Sequence, residues 1–77
     1  MTNQNFQEIN NGSTIVALYA GNVPVKGVVE SSHVGNLNGV ERIYSVSFNK
    51  PTQVTESGRV VTSIQVGASE VLKIITQ

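Results

Sequence analysis

The sequence contains no cysteine and no aspartate, and charged residues make up only 13% of its 77 positions. Without cysteine the chain can form no disulfide and no thiolate-based zinc site. Without aspartate a Ser-His-Asp triad cannot form within one chain, although glutamate could replace the aspartate. Typical globular domains carry about 25% charged residues. The deficit predicts a polar but weakly charged surface, which can pack against other protein at little desolvation cost.

Long apolar runs are also missing. No stretch approaches the roughly 18 consecutive apolar residues of a membrane span. Residues 1–12 have neither the basic start nor the apolar run of a secretory signal. We therefore expect no membrane insertion and a cytoplasmic location, which would be a host cytoplasm or an assembled virion if the protein is viral.

The sequence has no excess of basic residues, because five lysines and arginines balance five glutamates. Nucleic-acid binding depends largely on neutralising phosphates, which calls for a basic excess or cluster. Nucleic acid is therefore an alternative partner that the sequence does not favour, although folding could gather some basic side chains. They are spread along the chain: Lys26, Arg42, Lys50, Arg59 and Lys73.

A chain of 77 residues forms one domain at most. Such a chain buries only about 60% of the surface that its unfolded form exposes, so its core is marginal. Small domains often compensate by oligomerising or by docking on a larger assembly. The length therefore favours self-association or binding to another protein.

Residues 1–12 are polar and rich in asparagine and glutamine, and we interpret them as an N-terminal arm before a domain at 13–77. Phe6 and Ile9 are the only bulky apolar residues of the arm after Met1. Their three-residue spacing is consistent with a single helical turn or with an arm that docks on a partner, and the alternative is a frayed tail.

From Ser13 onward the sequence is typical of β-strands. Valine and threonine are abundant, and their branched side chains fit a pleated surface. Gly27 interrupts the second run and indicates a bulge, a bend or a close backbone approach. Ser69 could cap a short helical or 3₁₀ turn before the last strand. The predicted runs are 14–19, 23–31, 40–48, 59–66 and 71–75.

Alternation of apolar and polar residues predicts which side chains face the core. In the third run the inward face holds Val40, Tyr44, Val46 and Phe48, with Ile43 on the other face. In the fourth run the inward side chains are Val60, Ile64 and Val66. In the second run Val25 and Val29 share one face.

The order of these features resembles an SH3-like small barrel. The resemblance covers about residues 13–76 and rests on the layout: the first strand, the bent strand with Val25-Lys26-Gly27-Val28-Val29, two hairpin strands and the turn at 67–70. It implies an all-β fold, a single small barrel of five or six short antiparallel strands. It implies no function, since neither the aromatic groove of peptide-binding SH3 domains nor the basic loop of KOW domains is recognisable. The composition is similar to that of small bacteriophage proteins.

Catalysis is poorly supported, and we expect no enzyme, no metal and no cofactor. Glu30, Ser31, Ser32 and His33 include an acid, hydroxyls and an imidazole, but neighbours in a strand point to opposite faces. His33 alone is a poor ligand set for a metal. Residues 35–39, GNLNG, match no phosphate-binding fingerprint and are typical of a hairpin loop.

The sequence thus predicts a non-enzymatic protein-binding or assembly module, plausible as a viral accessory protein. We expect contact through an exposed strand edge and the arm, and the best ligand-contact combination is Tyr19 with Arg42 or Arg59. The alternatives are a nucleic-acid-binding barrel and an oligomeric small-ligand (nucleotide) sponge. The candidate contact residues are Phe6, Ile9, Tyr19, Arg42 and Arg59.

Overall fold

The computed structural model describes residues 9–36 and 39–76. The predicted all-β class and the short turn before the last strand are confirmed. A 3₁₀ turn, Ala68–Glu70, separates the last two strands. The five strands are β1 (Thr14–Tyr19), β2 (Val23–Asn36), β3 (Val40–Gln53), β4 (Val60–Gly67) and β5 (Val71–Thr76).

All five strands belong to one antiparallel sheet in the order β4-β3-β2-β1-β5. Strands β1 to β4 follow one another as a meander, and β5 returns to pair with β1. The sheet does not close, so β4 and β5 are its two edges in the part of the chain that the structure describes. Strands β2 and β3 have 14 residues each and form a long hairpin.

Gly27 marks a close approach between β2 and β3, as the sequence predicts. A Cβ atom built on Gly27 would lie 2.5 Å from Cγ1 of Val46 and 2.6 Å from the carbonyl oxygen of Ser47. A β-bulge follows, because the pairing with β3 skips one residue between Val29 and Ser31. Bulges bend a strand and increase its twist. The missing side chain and the bulge together allow β2 to fold over the core.

Most of the predicted core is confirmed. The buried cluster includes the predicted Val25, Val29, Tyr44, Val46, Ile64 and Val66, and also Ile15, Ala17 and Val54. Phe48 is half-buried and packs against the edge of this cluster. The buried side chains come from β1 to β4 and from Val54, which directly follows β3, so the core forms where the curved sheet folds over itself.

Two facing predictions are wrong. Val40 is 79% exposed because it lies near the end of the long hairpin, beyond the core. Val60 is 54% exposed because residues 48–51 of β3 lie opposite Thr62 alone, and after this irregularity Val61 faces the core instead. Ile43 lies outside the core cluster, on the face where alternation puts it. It is buried there because it packs over Gly35, which has no side chain.

The packed domain begins before Ser13. Ile9 packs against the core. The backbone N–H of Gly12 donates to the carbonyl of Val29 at 2.7 Å, and Ser13 is fully buried. Residues 9–12 therefore pack with the sheet, whereas Phe6 and the rest of residues 1–8 lie outside the described residues.

Two carboxylates hold the 3₁₀ turn in place. Glu70 accepts a hydrogen bond from the backbone N–H of Gly67 at 2.9 Å. Glu41 of β3 accepts from the backbone N–H of Ser69 at 2.9 Å and from its hydroxyl at 3.3 Å. Ser69 thus lies inside the turn, and Glu70 takes the capping role that the sequence suggests for Ser69. Gly67 leaves room for Glu41, whose carboxyl carbon would be 2.6 Å from a Cβ at that position.

We predict that Gly27→Ala lowers the free energy of unfolding by about 1–3 kcal/mol, the usual cost of overpacking a core. The added methyl group would overlap Val46 and the backbone of β3. Urea denaturation followed by circular dichroism measures the change. Ser31→Ala, an exposed position in the same strand, is the control and should change stability by less than about 0.5 kcal/mol. Equal midpoints for the two variants would contradict the close approach.

Candidate functional site: a cleft at the edge of β4

A cleft of about 550 Å³ lies along β4. Its lining includes Ser63, Ile64 and Gln65, which are consecutive in the strand. Because neighbours in a strand point to opposite faces, a cleft that touches all three must pass around the edge of the strand. The lining residues are Tyr19, Ala20, Ser45, Arg59, Val61, Ser63, Ile64, Gln65 and Glu70.

This edge of the sheet has no strand partner among the described residues, because β4 pairs only with β3. Natural proteins usually protect such edges with lysine, proline, bulges or short strands. β4 contains no charged residue and no proline, and it pairs regularly with β3 from Ser63 to Gly67. The opposite edge, β5, carries Lys73 and pairs with β1 through two register shifts. Of the two edges, β4 therefore has fewer of the features that protect a sheet edge from pairing.

Tyr19 forms the wall opposite β4, at the end of β1. It is half-buried and packs against the core. The turn after it is tight, with the N–H of Asn22 donating to the carbonyl of Tyr19 at 3.1 Å. Ala20 and Gly21 in this turn have positive φ angles of 54° and 76°. Ala20 is the only non-glycine residue with positive φ in the described ranges, so a strained backbone position lines the cleft directly.

Arg59 lies immediately before β4, and its backbone is fixed by the neighbouring turn. Its carbonyl accepts from the N–H of Val54 at 2.8 Å, and its own N–H donates to the hydroxyl of Thr55 at 3.0 Å. The side chain is exposed, and its guanidinium has no hydrogen-bond partner among residues 9–36 and 39–76. An anchored backbone with an unpaired guanidinium is suited to binding an acceptor group from outside the chain.

The cleft has opposite charges near its two ends. Arg59 precedes β4, and Glu70 follows it in the 3₁₀ turn. Glu70 is half-buried and its Oε1 atom is engaged by the N–H of Gly67. Ser45, Ser63 and Gln65 add neutral polar groups between these ends. The cleft can thus satisfy a polar backbone along its length and a negative charge at the Arg59 end.

The structure brings together only some of the predicted contact residues. Tyr19 and Arg59 line the same cleft. Arg42 lies on the long hairpin and donates to the hydroxyl of Ser32 at 3.1 Å, outside this cleft. Ile9 lines a separate cavity of about 170 Å³ with Tyr44 and residues of β5, so its own domain already covers part of it. Phe6 lies outside the described residues.

Sequence reasoning missed Ser45, Gln65 and Glu70 as members of the site. Alternation placed Ser45 and Gln65 on an outer face, but it does not show that this face continues into a cleft. Glu70 reaches the site through the 3₁₀ turn. The available signal was the absence of charge in residues 60–67, which is unusual for an edge strand.

The other residue set considered for chemistry does not converge. Glu30 accepts a hydrogen bond from the hydroxyl of Ser47 at 2.7 Å, and Ser32 is bonded by Arg42. His33 lies opposite Ile43 in the hairpin. In the described ranges no three acidic, histidine or cysteine side chains are grouped to hold a metal ion. The same part of the chain contains no helix with the length and apolar character needed to cross a membrane.

No protein-family model, curated protein or solved structure matches this chain.

We predict that Ala20→Gly raises the free energy of unfolding by about 0.5–1 kcal/mol. A left-handed conformation costs a non-glycine residue about 1–2 kcal/mol, and the extra freedom of glycine in the unfolded chain offsets about 0.4–1 kcal/mol of that gain. Ala68→Gly is the matched control at a position without positive φ, and it should lose up to about 1 kcal/mol. Urea midpoints measure both. A loss of stability in both variants would contradict the strain at Ala20.

Proposed function

We propose that this protein is a non-enzymatic binding module that receives an extended segment of another protein beside β4. In strand addition the backbone groups of a sheet edge provide affinity, and pockets for alternate side chains provide specificity. The cleft would hold the added segment between β4 and Tyr19. The observation that carries this proposal is the uncharged edge of β4, open toward the cleft.

The composition of the whole chain supports protein as the partner class. A surface that is 13% charged can be covered by another protein with little charge desolvation. Exposed apolar side chains, such as Val34, Val60 and Leu72, occur on three different strands. A domain this small also gains stability from any partner that binds only its folded state.

The basic residues give less support to a nucleic-acid partner. Lys26 and Lys73 both lie opposite Val16, so they flank it on one face of the sheet. Arg42 lies on the long hairpin and Arg59 lies in the cleft. Two lysines on one face provide less positive charge than a phosphate-binding surface usually carries.

The SH3-like layout is part of this proposal. The meander β1 to β4, the return of β5 to β1 and the 3₁₀ turn before β5 support it. A virion component and a factor that sequesters a host protein are two roles that such a module would fit. The reason for naming viral roles is that the composition is similar to that of small bacteriophage proteins.

We predict that random seven-residue peptides displayed on yeast, selected against the purified protein, will include binders that perturb the backbone amides of 61–66 in ¹⁵N spectra. Ser63→Lys should weaken these peptides about tenfold or more, because a charged side chain at an edge disfavours strand addition. Ser31→Lys adds the same charge at an exposed position of β2 and should leave binding unchanged.

Three outcomes would contradict the proposal. The first is the absence of enriched peptides, and the second is amide perturbation confined to other strands. The third is tight, salt-sensitive binding of DNA or RNA, or of a nucleotide, in place of peptides. Sedimentation across a concentration series tests whether a second copy occupies the edge; in that case Ser63→Lys, and not Ser31→Lys, should release the monomer.

A further inference from the structure

The cleft beside β4 holds one positively charged side chain, Arg59, among its lining residues. The guanidinium is planar and presents several donors that match a carboxylate. Neither the guanidinium of Arg59 nor the hydroxyl of Tyr19 has a hydrogen-bond partner in the described residues, although both residues line the cleft. The acidic residue nearest in the lining, Glu70, lies beyond the other end of β4 and accepts from Gly67.

We infer that the bound segment carries a carboxylate that pairs with Arg59, and that this acidic residue lies toward the segment's C-terminal end. This inference rests on the proposed strand addition. All neighbouring strands of the sheet are antiparallel, and antiparallel pairs outnumber parallel pairs about two- to threefold in proteins. β4 runs from the Arg59 end of the cleft toward Glu70. An antiparallel segment therefore begins near Glu70 and ends near Arg59.

The dimensions of the cleft set the length of the segment. Its lining on this side runs from Arg59 to Gln65, a distance of about 20 Å at roughly 3.3 Å per residue. About six or seven residues of an extended segment fit along it. The middle of the segment would face residues 61–63, and its last residues would face Arg59.

The partner chemistry is thus an extended segment of about seven residues, with β-forming residues in the middle and aspartate or glutamate in its C-terminal half. A negative charge at this end is complementary to Arg59, whereas a negative charge at the other end would be repelled by Glu70. Complementary charges fix the direction and register of a bound segment more than they raise its affinity.

The test uses the random heptapeptide selection with three proteins: wild type, Arg59→Gln and Arg42→Gln. Arg42 carries the same charge but lies outside the cleft and bonds Ser32. We expect wild type and Arg42→Gln to enrich acidic residues in the C-terminal half of the peptides, and Arg59→Gln to lose this enrichment. Selected peptides are then resynthesised with the acidic residue changed to its amide. These amide peptides should bind wild type about five- to tenfold more weakly than the acidic peptides do. For Arg59→Gln, the amide and acidic peptides should have equal affinities.

The outcomes separate this inference from the proposed function. Enriched peptides that perturb the amides of β4 but show no acidic preference would overturn the inference and leave strand addition standing. An acidic preference in the N-terminal half would also overturn it, since the segment would then run parallel to β4. Arg59→Lys should retain part of the preference, because it keeps the charge but not the planar donor pair. Failure to enrich any peptide would overturn the proposed function itself.

Discussion

The packing of β2 against β3 at Gly27 is the constraint on which the rest of the molecule depends. A single five-stranded sheet can enclose a core only if it curves until its own inward side chains meet. At Gly27 there is no Cβ atom, so a side chain of Val46 and the backbone of β3 approach β2 to distances that any other residue would prevent. The bulge between Val29 and Ser31 adds further curvature to β2. Val25 and Val29, on either side of Gly27, then reach the same buried cluster as Val66.

The same curvature defines where the sheet stops. β4 comes near the end of β1 without pairing with it, and the space between them becomes the cleft lined by Tyr19. The 3₁₀ turn at Ala68–Glu70 leads the chain from β4 into β5, which pairs with β1. Glu70 and Glu41 hold that turn by accepting hydrogen bonds from the backbone N–H groups of Gly67 and Ser69. The unpaired edge of β4 is thus a consequence of how the chain passes from β4 to β5.

Local alternation identified much of the fold because its physical basis is local. Tyr44, Val46, Ile64 and Val66 obey a period of two, and they are buried. Val60 departs from the period because β3 has extra residues, including Pro51, opposite Thr62. That irregularity depends on the pairing of two strands, so it cannot be read in either strand alone. Ile43 is buried for a similar reason, since Gly35 on the neighbouring strand leaves space for it.

The candidate site illustrates the same limit. The sequence singled out Tyr19 with Arg42 or Arg59, which are far apart along the chain, and only the tertiary arrangement distinguishes the two arginines. Arg42 has a local partner across the hairpin in Ser32, whereas Arg59 follows the turn that leads into the edge strand. The lining residues Ser45 and Gln65 face each other across β3 and β4, a relation that the strand register determines.

In the proposed strand addition, the low charge of the chain would link its stability to its binding. Small domains have only a few kcal/mol of net stability, about 5 kcal/mol at the lower end of the usual range. A partner present at a hundred times its dissociation constant adds about 2.7 kcal/mol when it binds only the folded state. For a domain of this size such a gain is a large fraction of the whole. An uncharged β4 leaves the free domain with an unprotected edge. In the proposed strand addition, the added strand would stabilise the fold to which it binds.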